Sequence, residues 1–147
     1  MSISPYVYPG IGTLPVRLQI EGKRKGMVLY NADNIFRAAV RVFEICNKEK
    51  YSADLVKSKT RKREIVEIRQ CAMYLIQSHT KMSLNATGAM FSGRDHSTVI
   101  HGVRTWQDLI DTSKKHYEIT ESVRNMVEQI VQEDEARVRQ KQMLNNN

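Results

Sequence analysis

Proline is missing from the chain beyond residue 15, and only three of its seven glycines lie after residue 30. Strong helix breakers are therefore scarce over most of the length, whereas the first 30 residues hold Pro5, Pro9, Pro15 and four glycines and are unsuited to a helix. Cysteine is almost absent. Cys46 and Cys71 sit inside apolar helical patterns, too far apart for a metal knuckle, and read as buried free thiols rather than a disulfide or a zinc site. No apolar run approaches the roughly 18 to 20 residues of a membrane span. The N-terminus also lacks the basic start and apolar core of a signal peptide, so the expected location is the cytoplasm. Acidic residues are in deficit, 16 against 23 Lys and Arg, for a formal charge of +7. Such an excess favours a polyanionic partner, and on charge alone RNA, DNA or an anionic membrane would serve equally.

The composition is otherwise ordinary: 41% hydrophobic and 27% charged residues exclude a largely disordered chain. A length of 147 residues allows one domain with a modest core. In the N-terminal stretch, Val16, Leu18 and Ile20 alternate with Arg17 and Gln19 before a basic break and the run Met27 to Tyr30, which suits a short β-hairpin or a loop. Gly22-Lys23 is not a phosphate-binding loop, because Arg17 stands where the first glycine of that motif belongs and Arg24 follows the lysine.

From Ala32 the apolar period becomes helical. Ile35, Ala39, Val42, Phe43 and Cys46 mark a helix over 32 to 48, with Asn31 or Asp33 as its cap. A single turn at 51 to 56 and a charged segment follow, then a helix over 64 to 79 marked by Ile65, Ile68, Ala72, Leu75 and Ile76. A short helix at 83 to 90 carries Leu84 and Met90, and its small residues Ala86, Gly88 and Ala89 permit close packing. The next helix starts at Asp95, placed to cap the amide of Ser97 or Thr98, and buries Val99, Val103, Trp106 and Ile110. A last helix begins near Thr120, with Val123, Val127, Ile130 and Val131 on one face, and continues into a solvated extension.

A short helix, a turn holding a glycine, and a longer helix with a polar first turn form the layout of a helix-turn-helix. The first-turn residues of the second helix then face base edges in the major groove. Here these are Asp95, His96, Ser97 and Thr98, which offer a carboxylate for a cytosine amino group, polar groups for base edges and a methyl for thymine. Spacing alone also fits a mere capping arrangement in a helical bundle. The segment 57 to 70, with six Lys and Arg against two Glu, tips the balance, because it precedes a helix where backbone amides and cations can meet phosphate together. Enzymatic chemistry finds no support. His96 and His101 are five residues apart, the wrong step for a zinc pair on one helix face, and His101 reads as a partly buried helix residue.

The run Gly93-Arg94-Asp95-His96-Ser97-Thr98-Val99-Ile100-His101 closely resembles the signature of the C-terminal DNA-binding domain of the replication initiator DnaA. Ser58 to Arg63, followed by Arg69-Gln70, resembles that family's basic loop and the pair opening its next helix. The resemblance spans about Asp33 to Ile110 and implies a mainly α fold: a helix-turn-helix of the DnaA C-terminal or Trp-repressor-like type, with an N-terminal hairpin or loop and an extended C-terminal helix. It implies that Arg61 enters the minor groove, that Arg69 and Gln70 hold the DNA backbone, and that Leu84 touches the sugar-phosphate chain. Asp95, His96, Ser97 and Thr98 would read and position the major groove. Lys59, Lys62, Arg63 and Arg104 are candidate phosphate contacts.

The sequence departs from the family at several of these places. Ser97 stands where threonine is usual, Glu67-Ile68 where Arg-Pro is common, Asn85 at a proline position and Thr105 at a basic one, so weaker or more salt-sensitive binding is expected. The chain shows no ATPase module, and nucleotide, metal and cofactor are all expected to be absent. The expected organisation is an extension over 1 to 30, the helix-turn-helix domain over 31 to 115, and a C-terminal helix and tail over 116 to 147. The expected function is non-enzymatic: binding of double-stranded DNA at sites like the DnaA box, on the nucleoid, regulating replication or transcription by occupancy. The alternative is a phage or mobile-element protein that reuses the fold to bind another protein, or itself, through residues 1 to 30 or the C-terminal helix.

Overall fold

In the computed structural model, residues 30–146 are described, and the hairpin or loop expected over 1 to 30 lies outside them apart from Tyr30. The first helix, α1 (Ala32–Asn47), starts where the Asn31 side chain accepts the Asn34 amide at 2.8 Å. It buries Ile35, Phe36, Ala38, Ala39, Val42 and Phe43, and it ends at Lys48 in the left-handed region with φ 54°. Its last turn is largely uncovered, so Cys46 is exposed rather than buried, because the apolar period runs past the surface that the other helices cover. Cys71 is fully buried, and burial pushes its thiol well above the usual range. Tyr51 is buried after α1, its amide donating to the Glu44 carboxylate at 2.9 Å.

A single-turn helix, α2 (Ala53–Lys57), is capped by Ser52 and leads through the basic loop 58–62 into α3 (Arg63–His79). Residues 71–76 of α3 are all buried. This is the pillar of the fold, packed by α1, by α2, by α4 (Leu84–Met90) and by α5 (His96–Thr112). Of the stripe expected on α5, Val99, Trp106 and Ile110 are buried and Val103 is half-buried, whereas His101 is exposed.

The last helix, α6 (Lys114–Asn145), begins six residues before the expected Thr120, because Ser113 both ends α5 and caps α6 through the His116 amide. Trp106 lies fully buried at the junction of three helices. Its Nε1 donates to Thr120 Oγ1 at 2.9 Å, its ring meets Phe43 at 6.2 Å, and His116 packs edge-on at 5.3 Å. Ile119, Val123, Val127 and Ile130 of α6 join the same core, and α6 packs along α1. That apolar face is therefore filled within the chain. Half-exposed ion pairs Arg37–Asp134 at 3.0 Å and Arg41–Glu133 at 3.2 Å line the far end of the α1–α6 seam, each worth a fraction of a kcal/mol.

At the other end of the seam, Tyr30 donates to the Arg124 carbonyl at 3.0 Å and its ring lies 5.1 Å from that of His79. The Arg124 Nε donates to His79 Nε2 at 3.2 Å, which requires that nitrogen to be unprotonated. Burial, reinforced by the Arg124 charge, pulls the His79 pKa down to about 3. A histidine kept neutral in the fold but free to protonate when unfolded gives stability that is full above the unfolded pKa and falls as the pH drops below it. Between pH 7 and pH 5 this residue alone is expected to remove about 2 kcal/mol. Urea denaturation at both pH values checks it: the loss should shrink by that amount in His79→Gln, and an unchanged difference would contradict the buried neutral state.

Candidate nucleic-acid interface

The turn between α4 and α5 begins with a close backbone approach. A Cβ built on Gly88 would lie 2.0 Å from the Arg94 carbonyl oxygen, so only glycine allows α4 to meet the start of α5. The Gly88 carbonyl in turn accepts the amides of Phe91 at 3.1 Å and Arg94 at 2.8 Å. Ser92 and Gly93 both take positive φ, 64° and 69°, which reverses the chain over two residues. Phe91, fully buried, packs edge-on against Phe36 at 5.8 Å and fixes the turn to the core.

Past this turn Asp95, His96, Ser97 and Thr98 are all exposed, and Val99 is the first buried residue. Helix α5 thus presents a solvent-facing polar turn held by an apolar shaft. The Asp95 carboxylate does not form the expected cap bond to a helix amide. It accepts the Ser97 hydroxyl instead, and the His96 Nδ1 lies 3.1 Å from its other oxygen. The Ser97 hydroxyl, and after it the His96 ring, hold the Asp95 carboxyl below the usual carboxylate range. The turn therefore carries an ionised acceptor beside an imidazole and a threonine.

The basic loop lies against this turn. Ser92 Oγ donates to the Lys57 carbonyl, and Arg94 Nη2 donates to the Ser58 carbonyl at 2.6 Å. Lys59, Arg61, Lys62 and Arg63 are exposed on the loop and the first residue of α3. Lys62 reaches Glu64 at 3.8 Å and Arg63 reaches Glu67 at 3.7 Å, both loose surface pairs. Arg61 makes no hydrogen bond or ion pair among the described residues. Lys57 differs from these in resting over the Phe36 ring at 4.8 Å.

Arg69 is placed unlike the other candidates. It is 6% exposed, and its guanidinium donates to the carbonyls of Val56 at 3.1 Å, Ser58 at 2.9 Å and Thr60 at 2.7 Å. Burial, and then the neighbouring Arg94 charge, lower its pKa to about 10, so it stays charged at neutral pH. Gln70 is half-buried beside Gly102, Leu84 is half-buried at the first residue of α4, and Arg104 is exposed on α5. Glu67 faces Arg63 and also His116 Nε2 of α6 at 3.7 Å. Gly88, Ser92 and Arg94 were not singled out as site residues from sequence, although Arg94 stands inside the signature run. Among the described residues no three His, Cys, Asp or Glu could hold a metal, and no helix is long and apolar enough to cross a membrane.

The closeness of Gly88 to Arg94 makes a direct prediction. Gly88→Ala forces a backbone shift and should cost roughly 3 kcal/mol or more. A thermal melt followed by circular dichroism measures this, and a midpoint equal to that of the parent would show that the turn has slack.

Comparison with known proteins bears on the same region. The family described as "Bacterial dnaA protein helix-turn-helix" matches residues 42–105. Chromosomal replication initiator proteins DnaA are similar over the same part: that of Porphyromonas gingivalis is 43% identical over 70 residues, 48% of this chain and 14% of the relative. That of Oenococcus oeni is 44% identical over 73 residues, 50% of this chain and 15% of the relative. That of Chlorobaculum tepidum is 34% identical over 104 residues, 71% of this chain and 21% of the relative. The chain thus spans between a seventh and about a fifth of these proteins' length. No solved structure matches. Residues 42–105, which contain α4, the glycine-dependent turn and the exposed start of α5, match the bacterial DnaA helix-turn-helix family.

Proposed function

We propose that the chain binds double-stranded DNA with two adjacent elements, the first turn of α5 in the major groove and the loop 58–62 in the neighbouring minor groove. One observation carries this reading. An exposed polar helix start and an exposed basic loop are tied side by side through Ser92 and Arg94, and the loop cation Arg61 has no partner of its own among the described residues. An extended guanidinium suits a narrow, electronegative groove, and a polar helix start suits the wider one.

Within this reading His96 and Thr98 contact bases, His96 by a ring nitrogen and Thr98 by its methyl and hydroxyl. Asp95 and Ser97 are bonded to each other. They act as a unit, with the serine fixing a carboxylate that accepts from a cytosine amino group. Lys59, Lys62, Arg63 and Arg104 meet phosphates, Gln70 from the middle of α3 and Leu84 from the start of α4 hold the backbone, and Glu67 weakens the local field. The preferred sites resemble the DnaA box, and occupancy of such sites regulates replication initiation or transcription. No nucleotide or metal takes part.

The test is binding of a labelled duplex carrying a DnaA box, and of a scrambled duplex, across a range of salt. The box should bind more tightly, and Arg61→Ala should weaken both complexes. His96→Ala and Thr98→Ala should each erode the preference by about 1 to 3 kcal/mol. Equal affinity for the two duplexes at every salt concentration would sink the sequence-specific reading, and full discrimination by His96→Ala would remove that residue from the base contacts.

A further inference from the structure

We infer that Arg69 and Arg94 are positioning residues: together they clamp the carbonyls of the basic loop and so set where Arg61 stands relative to the first turn of α5. The inference rests on the DNA-binding reading and separates residues that touch the duplex from those that place them. It changes the part expected of Arg69, for which the family resemblance implies a grip on the DNA backbone.

An arginine meant for phosphate should present its fork to solvent. Arg69 does the reverse: its side chain is buried, and Nη1 and Nη2 are spent on the carbonyls of Val56, Ser58 and Thr60. Arg94, half-buried in the turn before α5, takes the second lone pair of the Ser58 carbonyl. Ser92 holds the carbonyl of Lys57 from the same turn. The carbonyls of residues 56, 57, 58 and 60 are thus all held from outside the loop, and Arg61 is the next residue along. No carboxylate takes part, so two like charges meet on a single carbonyl.

The loop has little else to define it. Its own bonds are local turns: the Ser58 amide and hydroxyl to the Leu55 carbonyl at 3.1 and 2.6 Å, the Thr60 amide to Ser58 Oγ at 3.4 Å and the Lys62 amide to Thr60 Oγ1 at 3.3 Å, none of which reaches beyond the loop and α2. A loop free to move would lose about 1 to 2 kcal/mol of entropy per residue when it settled in a groove. A loop fixed before DNA arrives has already met that loss, and its arginine is held at one distance from the reading turn. Lysine retains the charge but cannot span several carbonyls in one plane, whereas arginine can. A phosphate contact would tolerate the exchange far better than a clamp.

The experiment uses the full chain and duplexes in which each A·T pair of the DnaA box is replaced in turn by inosine·C or by G·C. Inosine·C keeps the minor groove of A·T, and G·C adds an amino group there. Arg69→Lys and Arg94→Lys should each weaken box binding by about tenfold, equal to 1.4 kcal/mol. Both should lose the preference for inosine·C over G·C, as Arg61→Ala does, while keeping discrimination at the major-groove positions read by His96 and Thr98. In an Arg61→Ala background neither exchange should weaken binding further. A lysine variant that binds like the parent, or a loss fully additive with Arg61→Ala, overturns the clamp. Thermal melts accompany each variant, and the half-buried Arg94 decides the outcome if Arg69→Lys fails to fold. Failure of the parent to prefer the box sinks the sequence-specific DNA-binding reading on which the clamp rests. A parent that discriminates normally beside an unaffected Arg94→Lys sinks only the clamp.

Discussion

The oxygen of one carbonyl, that of Arg94, occupies the space where a side chain at position 88 would start. The angle between α4 and α5 depends on this approach, and much else depends on that angle. With the glycine carbonyl accepting two amides of the turn, the chain reverses through Ser92 and Gly93, turns Arg94 toward the loop and delivers Asp95 to the surface. Phe91 locks the turn into the core from below. The polar start of α5 can then stay fully solvated, because Val99 and Trp106 carry the packing that holds it.

The same turn also organises the basic loop. Backbone carbonyls of the loop face inward, where they need donors, and two arginines and a serine supply them. Cations that would be interchangeable in a count of charge are therefore split into two kinds. Arg69 and Arg94 are turned toward carbonyls, whereas Lys59, Arg61, Lys62 and Arg63 are turned toward water. The net charge of +7 describes the field of the molecule, and only the second group can place that field against a partner.

Helix α6 completes the core instead of trailing from it. It fills the apolar face of α1, encloses Trp106 with Thr120 and His116, and sets Arg124 against His79 and Tyr30. It also touches the interface side through Glu67, whose carboxylate lies near both Arg63 and His116. A carboxylate that looks, in sequence alone, like a simple weakening of the positive field thus sits between the basic loop and the last helix.

Helical period, caps and the signature run were legible from the residues alone, because they depend on local chemistry. Asn31 caps α1, the apolar positions of α3 and α5 recur at helical steps, and the four polar residues after Arg94 are exposed as their pattern requires. The exposure of Cys46 and His101, the start of α6 at Lys114, and the replacement of the Asp95 cap by a bond from Ser97 were not legible. Each depends on what covers a helix face or which acceptor lies nearest, and periodicity does not encode either. The sequence by itself determined a basic, helical chain with a DnaA-like signature run at an exposed helix start. Only the tertiary structure decided which arginines face outward, because carbonyls from one segment and guanidinium groups from two others meet only after the chain has folded.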